Sequence, residues 1–166
     1  MFDNNPIPIT ASHTSPQVDT NTNPDPYMIF HDGWYYCYTT GHHGVNVLRS
    51  QDIESFEHMG FALSVPGQIS YWAPAVICYK GRFYMYYSSM LEGEDDAHLE
   101  FLKVAVADNP LGPFEYEKTL FNYFSIDADV IEKNGELHLF YAANDTSGDK
   151  IGTMVMIDKL VLQKRK

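Results

Sequence analysis

The chain has 166 residues, 45% of them hydrophobic and 14% aromatic, with 22 acidic against 11 basic side chains and a formal net charge of -11. A single domain of about this length hides roughly 68–70% of its unfolded surface, so a sizeable core is expected. The acidic balance excludes a protein that grips phosphate backbones through clustered Lys and Arg, and the basic cluster Lys164-Arg165-Lys166 reads as a solvated tail.

No nucleic-acid partner is therefore expected. No run approaches the ~18 apolar residues of a membrane helix, and Met1-Phe2-Asp3-Asn4-Asn5 lacks the basic start of a secretory signal. No membrane partner follows, and the default localisation is cytoplasmic, with secretion or a periplasmic location left open. Cys37 and Cys78 are too few for a disulfide scaffold and match no zinc spacing, so both are read as reduced core residues.

In chain order, a first strand at Pro26-Tyr27-Met28-Ile29 leads through His31-Asp32-Gly33 into Trp34-Tyr35-Tyr36-Cys37-Tyr38, and a third run follows at 45–48. The same order returns at Pro74-Ala75-Val76-Ile77, Tyr79-Lys80-Gly81, Arg82-Phe83-Tyr84-Met85-Tyr86 and 103–107. It returns again at Ala128-Asp129-Val130-Ile131, Lys133-Asn134-Gly135, Glu136-Leu137-His138-Leu139-Phe140 and 153–157. The offsets are 48 residues from Gly33 to Gly81 and 54 from Gly81 to Gly135. Each unit reads as an antiparallel meander with a tight hairpin, and Cys37, Met85 and Leu139 share one sheet face by their period of two.

Meanders recurring every ~40–50 residues are the signature of a β-propeller, each unit forming a blade; the alternative is a β-sandwich with coincidental similarity. The fold class is thus all-β, a propeller in which this chain, residues 1–166, supplies about three blades. Blade one runs over about 25–63, blade two over about 73–121, and blade three over about 127–160, without a fourth strand. A ring needs at least about four blades, so the chain is expected to be part of one, completed by missing C-terminal blades or by self-association.

The residue before each first strand is Asp25, Ala73 and Asp127, at the same two offsets. First strands line a propeller's axis, so Asp25 and Asp127 are expected to face each other across a central funnel. The plainer reading is that both are turn-capping aspartates. The funnel is expected to be rimmed by Gly41-His42-His43-Gly44, by 90–100, by 144–150, and by the blade-leading segments Ser70-Tyr71-Trp72 and 122–126. Two acids under an aromatic rim suit a carbohydrate, because sugar C–H faces stack on Trp and Tyr while carboxylates supply acid and base. Trp72 is the candidate platform, or else packs between blades; Tyr71, His42 and Asn144 are the other candidate substrate-binding residues. Glu92, Glu94, Asp95 and Asp96 lack calcium-loop spacing and read as a solvated loop. No metal ligand set is assigned.

Asn23-Pro24-Asp25-Pro26, Tyr71-Trp72-Ala73-Pro74, Val104-Ala105-Val106-Ala107-Asp108 running into Gly112-Pro113-Phe114, and Ser125-Ile126-Asp127-Ala128 together resemble glycoside hydrolase family 43. The resemblance spans about 23–160. It implies a five-bladed propeller that cleaves arabinofuranosides, xylosides and related plant polysaccharides, xylan among them, with inversion. It implies that Asp25 is the general base, that Asp127 orients the general acid and raises its pKa, and that Trp72 lines the sugar subsite. No cofactor is required, although a calcium or sodium ion in the central channel fits such a ring.

Two departures stand out. The usual Ile-Asp-Pro is Ile126-Asp127-Ala128 here, and the family's general acid, a glutamate in a Glu-Gly-Pro setting after Asp127, is not among the 166 residues. Glu92-Gly93 lies in the wrong blade to replace it. The isolated chain is therefore expected to hydrolyse sugars weakly or not at all. Two other functions compete: a carbohydrate-binding propeller without chemistry, and a glycoside phosphorylase, for which Arg49, Arg82 and Lys150 would have to form the phosphate pocket.

Overall fold

The computed structural model describes residues 10–12, 23–145 and 152–161. Three sheets follow one another along the chain. The first joins β1 (Thr10–Ser12), β2 (Tyr27–His31), β3 (Trp34–Thr39), β4 (Val45–Ser50) and β5 (Ser55–Leu63) in the order β1-β5-β4-β3-β2. The second joins β6 (Gln68–Tyr79), β7 (Arg82–Leu91), β8 (Phe101–Ala107) and β9 (Glu115–Thr119) in chain order. The third joins β10 (Ser125–Lys133), β11 (Glu136–Asp145) and β12 (Gly152–Leu160). Among the described residues the helical element is a single turn at Ala97–Leu99, and no helix is long and apolar enough to cross a membrane.

The hairpins at the start of each meander are built alike. Asp32 and Gly33, Lys80 and Gly81, and Asn134 and Gly135 all have positive φ, between 46° and 81°. Two consecutive left-handed residues make the tight turn whose twist matches that of the flanking strands, which is why a glycine closes each one.

Alternation then decides the packing. Tyr36, Tyr38, Val45 and Val47 of the first sheet meet Phe83, Met85, Tyr87 and Ala105 of the second in one buried cluster. The opposite face of the second sheet, with Tyr86, Leu102 and Val104, meets Leu137, Leu139, Tyr141 and Ala143 of the third. Successive sheets thus stack face to face in chain order, and β6 touches both β2 and β10 as an innermost strand should. This is a partial propeller of about three blades rather than a sandwich of two sheets.

Among the described residues nothing covers the remaining face of the third blade: β10 to β12 leave Ile131 50%, Val155 76% and Ile157 61% exposed. Register puts Ile131 opposite His138, Ile157 opposite Phe140 and Val155 opposite Ala142, so all six share that face.

Two features depart from the sequence reading. Strand β1 pairs in parallel with β5, placing Thr10 opposite Ser55, a contact that no periodicity announces. Both cysteines are free, but only Cys37 is buried; Cys78 is exposed, near the hairpin end of β6 and beyond the packed centre of the blade. It is corrected from a core to a surface residue.

The second blade encloses two ionisable side chains that sense each other's charge. Glu100 and Lys103 are both almost wholly enclosed, and Lys103 Nζ donates to the carbonyls of Phe101, at 2.9 Å, and Ser89. Burial pushes the Glu100 carboxyl up to about 8, with the Lys103 charge and the Ser88 hydroxyl opposing it. The same burial brings Lys103 down to about 8, against the pull of Glu100. From the ordinary glutamate value of 4.5 up to about 8, folded Glu100 keeps a proton that the unfolded chain has lost. Its contribution to stability is therefore full below that window and is lost as pH rises through it. The lysine acts in the opposite sense from about 8 to 10.5. The melting temperature is expected to fall between about pH 5 and about pH 8, and Glu100→Gln to flatten that fall. Parallel curves for the two proteins would refute this assignment.

Candidate active site

The three positions that open the blades share an unusual backbone. Asp25, Ala73 and Asp127 have φ of 53°, 40° and 55°. Left-handed residues other than glycine cost of order 1–3 kcal/mol and gather at functional sites, with aspartate among the better tolerated. In β6 and β10 they coincide with breaks of register, between Trp72 and Ala75 and between Ile126 and Asp129. Such a bulge turns a side chain out of the strand's ordinary alternation.

Threonines at the end of β3 hold the first of these positions. The Thr40 hydroxyl donates to Asp25 Oδ2 at 2.7 Å and accepts the Ala73 N–H at 2.9 Å, joining the opening residues of blades one and two. Thr40 N–H donates to the Pro24 carbonyl at 3.0 Å, and the Thr39 hydroxyl to Asn23 Oδ1 at 3.1 Å. Thr40 escapes sequence reasoning because a threonine closing a strand is unremarkable; its proximity to Asp25 arises only when β3 folds back on β2.

The third position is anchored from the second blade. Ser125 N–H donates to the Glu100 carbonyl at 3.0 Å, and its hydroxyl accepts Leu102 N–H at 2.9 Å. Two residues later, partial desolvation and then the negative charge of Asp25 raise the Asp127 carboxyl above the usual aspartate range. The charge of Asp25, 102 residues away in sequence, thus opposes ionisation of Asp127, after desolvation.

The remaining candidates divide. Trp72 is half-buried opposite Ser88, and none of the buried clusters among the described residues includes it. His42 is exposed, with Nδ1 3.3 Å from Ser70 Oγ and its ring edge-on to His43. Asn144 is half-buried and its Oδ1 accepts the Thr153 hydroxyl at 3.2 Å.

Tyr71 is a correction. Its ring is fully buried, stacks on Tyr87 at 5.6 Å, and its hydroxyl is engaged by both the N–H and the carbonyl of Val65. It packs the blade one to blade two interface and presents no face to a sugar. The backbone bridge between Gly41 and Tyr71 does bring the His42 loop against the Trp72 strand.

The cations needed for a phosphate pocket are engaged elsewhere. Arg49 pairs with Glu57 at 3.1 Å and lies over Trp34; Arg82 pairs with Asp108 at 2.9 Å beside its hairpin. Lys150 lies outside the described residues. Asp96 caps the Ala97–Leu99 turn by accepting His98 N–H. Among the described residues no three His, Cys, Asp or Glu side chains are arranged to hold a metal.

The family model for glycosyl hydrolases family 43 matches residues 15–165. No curated protein sequence matches. Among solved structures, a thermostable family-43 glycoside hydrolase superposes with a TM-score of 0.74 at 27% identity, covering 90% of this chain and 52% of its own. An endo-1,4-beta-xylanase from Bacteroides thetaiotaomicron gives 0.68 at 26%, covering 87% and 50%. An endo-arabinase from the same organism gives 0.69 at 22%, covering 90% and 54%, a likeness of fold alone. The chain spans about half the length of these structures. From the blade repeat, the paired opening aspartates and the family match over most of its length, the chain belongs to glycosyl hydrolases family 43.

Proposed function

We propose that these residues form the base-bearing half of an inverting glycoside hydrolase that acts on plant polysaccharides or their oligosaccharides, of the arabinofuranosidase or xylosidase type. The observation that carries this reading is the equivalent left-handed placement of Asp25 and Asp127 at the openings of two blades, with Thr40 on Asp25 and with desolvation, then the Asp25 charge, raising the Asp127 carboxyl.

In the reaction, Asp25 takes a proton from the water that attacks the anomeric carbon, while Thr40 holds Oδ2 and so fixes the carboxylate plane. Asp127 sits beside the leaving group's acid, orients it, and opposes its ionisation so that it keeps its proton near neutral pH. The half-buried face of Trp72 takes a sugar ring, and His42 and Asn144 at the rim meet its hydroxyls. The acid this reading requires is a glutamate outside these residues, and the exposed Ile131, Val155 and Ile157 face is where a blade carrying it would pack. No cofactor takes part.

The test is the whole protein, with its ring complete, supplied with an aryl arabinofuranoside and an aryl xyloside while proton NMR follows the released sugar. Release with inverted anomeric configuration is expected. Retention would overturn the mechanism, and saturable binding without release would make the protein a carbohydrate-binding propeller. The 166 residues alone are expected to be slower by roughly 10²–10⁴, the usual loss when general acid catalysis is missing. Turnover equal to the whole protein's would refute that.

A further inference from the structure

Asp25 and Asp127 stand on different blades, and both sit in strained left-handed positions, the second of them within the β10 bulge. Like charges there repel, so something must hold the two strand starts at a fixed separation. Two residues beyond Asp25, the Tyr27 hydroxyl of β2 donates to Asp129 Oδ1 of β10 at 3.1 Å. Asp129 in turn lies two residues beyond Asp127. The contact therefore joins the first blade to the third, two residues and so at most about 7 Å of backbone from each aspartate.

Both partners are anchored. Tyr27 packs against the core between blades one and two, and Asp129 Oδ1 also accepts Val130 N–H at 2.8 Å. Burial, then the Asp129 charge and the hydrogen bond itself, push the Tyr27 hydroxyl up to about 12, so it remains a donor throughout the neutral range.

We propose that Tyr27 and Asp129 are positioning residues whose hydrogen bond sets the spacing of Asp25 and Asp127. The proposal rests on the hydrolase reading for its purpose but not for its test. An ångström of misplacement between catalytic groups costs up to about 10²-fold in rate, which gives such a spacer its value. The equal spacing of two residues makes the tie a rung that joins the two blades next to the aspartates.

The experiment is a carbon-13 NMR titration of the Asp127 carboxyl, without substrate, in the native chain and three variants. Tyr27→Phe removes the tie and keeps every charge. Asp129→Asn keeps an acceptor for Tyr27 and removes the charge, whereas Asp129→Ala removes both. With the spacer gone the carboxylates separate, so Tyr27→Phe is expected to lower the Asp127 midpoint by several tenths of a pH unit. Asp129→Ala is expected to titrate lower than Asp129→Asn, a difference that isolates the hydrogen bond from the charge. A melting temperature that falls in Tyr27→Phe with the Asp127 midpoint unmoved would overturn the proposal, as would identical midpoints for the two Asp129 variants. Should Tyr27→Phe fail to fold, the Asp129 pair decides alone. Absence of turnover in the whole protein would defeat the hydrolase reading and leave this titration unaffected.

Discussion

Asp25→Asn in the ring-complete protein is expected to lower kcat on an aryl glycoside by roughly 10²–10⁴, the range for loss of a positioned general base. The amide is isosteric and its oxygen still accepts the Thr40 hydroxyl, so the segment Asn23-Pro24-Asp25 keeps its backbone and the sugar still binds. The variant also separates two contributions to Asp127. Desolvation is the larger cause of its raised carboxyl and the Asp25 charge the smaller. Removing that charge is therefore expected to bring the Asp127 titration down while leaving it above the ordinary aspartate range. Steady-state kinetics on the whole protein and a carboxyl titration of the same variant check the two halves. Unchanged kcat would remove Asp25 from the chemistry, and an unmoved Asp127 would mean that the two acids do not sense each other.

Met85→Ala is the substitution expected to cost most stability. Met85 is fully buried in β7, where blade two meets Tyr36, Tyr38 and Val47 of blade one. Truncating a buried Met leaves a cavity that rigid sheets close poorly, at about 2–5 kcal/mol, against a total of about 5–15 for a typical domain. In a chain of this size each kcal/mol moves Tm by about 2–4 °C. Met85→Leu conserves volume and is expected to cost under about 1.5 kcal/mol. Thermal or urea unfolding monitored by circular dichroism checks both. A Met85→Ala loss within about 0.5 kcal/mol, as at a surface site, would contradict the inter-blade packing.

The sequence held a good share of this. Hairpin turns are local, so Asp32-Gly33, Lys80-Gly81 and Asn134-Gly135 announced themselves by residue type and spacing, and their left-handed φ values follow from it. The period of two in β3, β7 and β11 assigned Cys37, Met85 and Leu139 to buried faces, because side-chain direction in a strand is settled by parity alone. The offset between repeats carried over to Asp25 and Asp127, since equivalent positions of a ring converge on its axis.

What parity and offset cannot supply is which neighbour a side chain meets. Tyr71 and Trp72 are adjacent and both aromatic, yet the first is enclosed against Tyr87 and the second is left half-buried, a difference made by the bulges at the start of β6. Cys78 carries the parity of a core position but sits where the inner strand runs past the packed centre of the blade. Thr40 beside Asp25, the Tyr27 to Asp129 rung, the buried Glu100 and Lys103, and β1 against β5 all join residues through folded proximity.

The division follows from the range of the forces involved. Periodicity, turn chemistry and repeat spacing are written residue by residue, so by itself the sequence determined an all-β repeat with blade-opening aspartates. Desolvation and charge coupling depend on what surrounds a group in three dimensions, so only the tertiary structure decided that burial and the Asp25 charge raise the Asp127 carboxyl, that Tyr71 is core, and that Thr40 hydrogen-bonds Asp25.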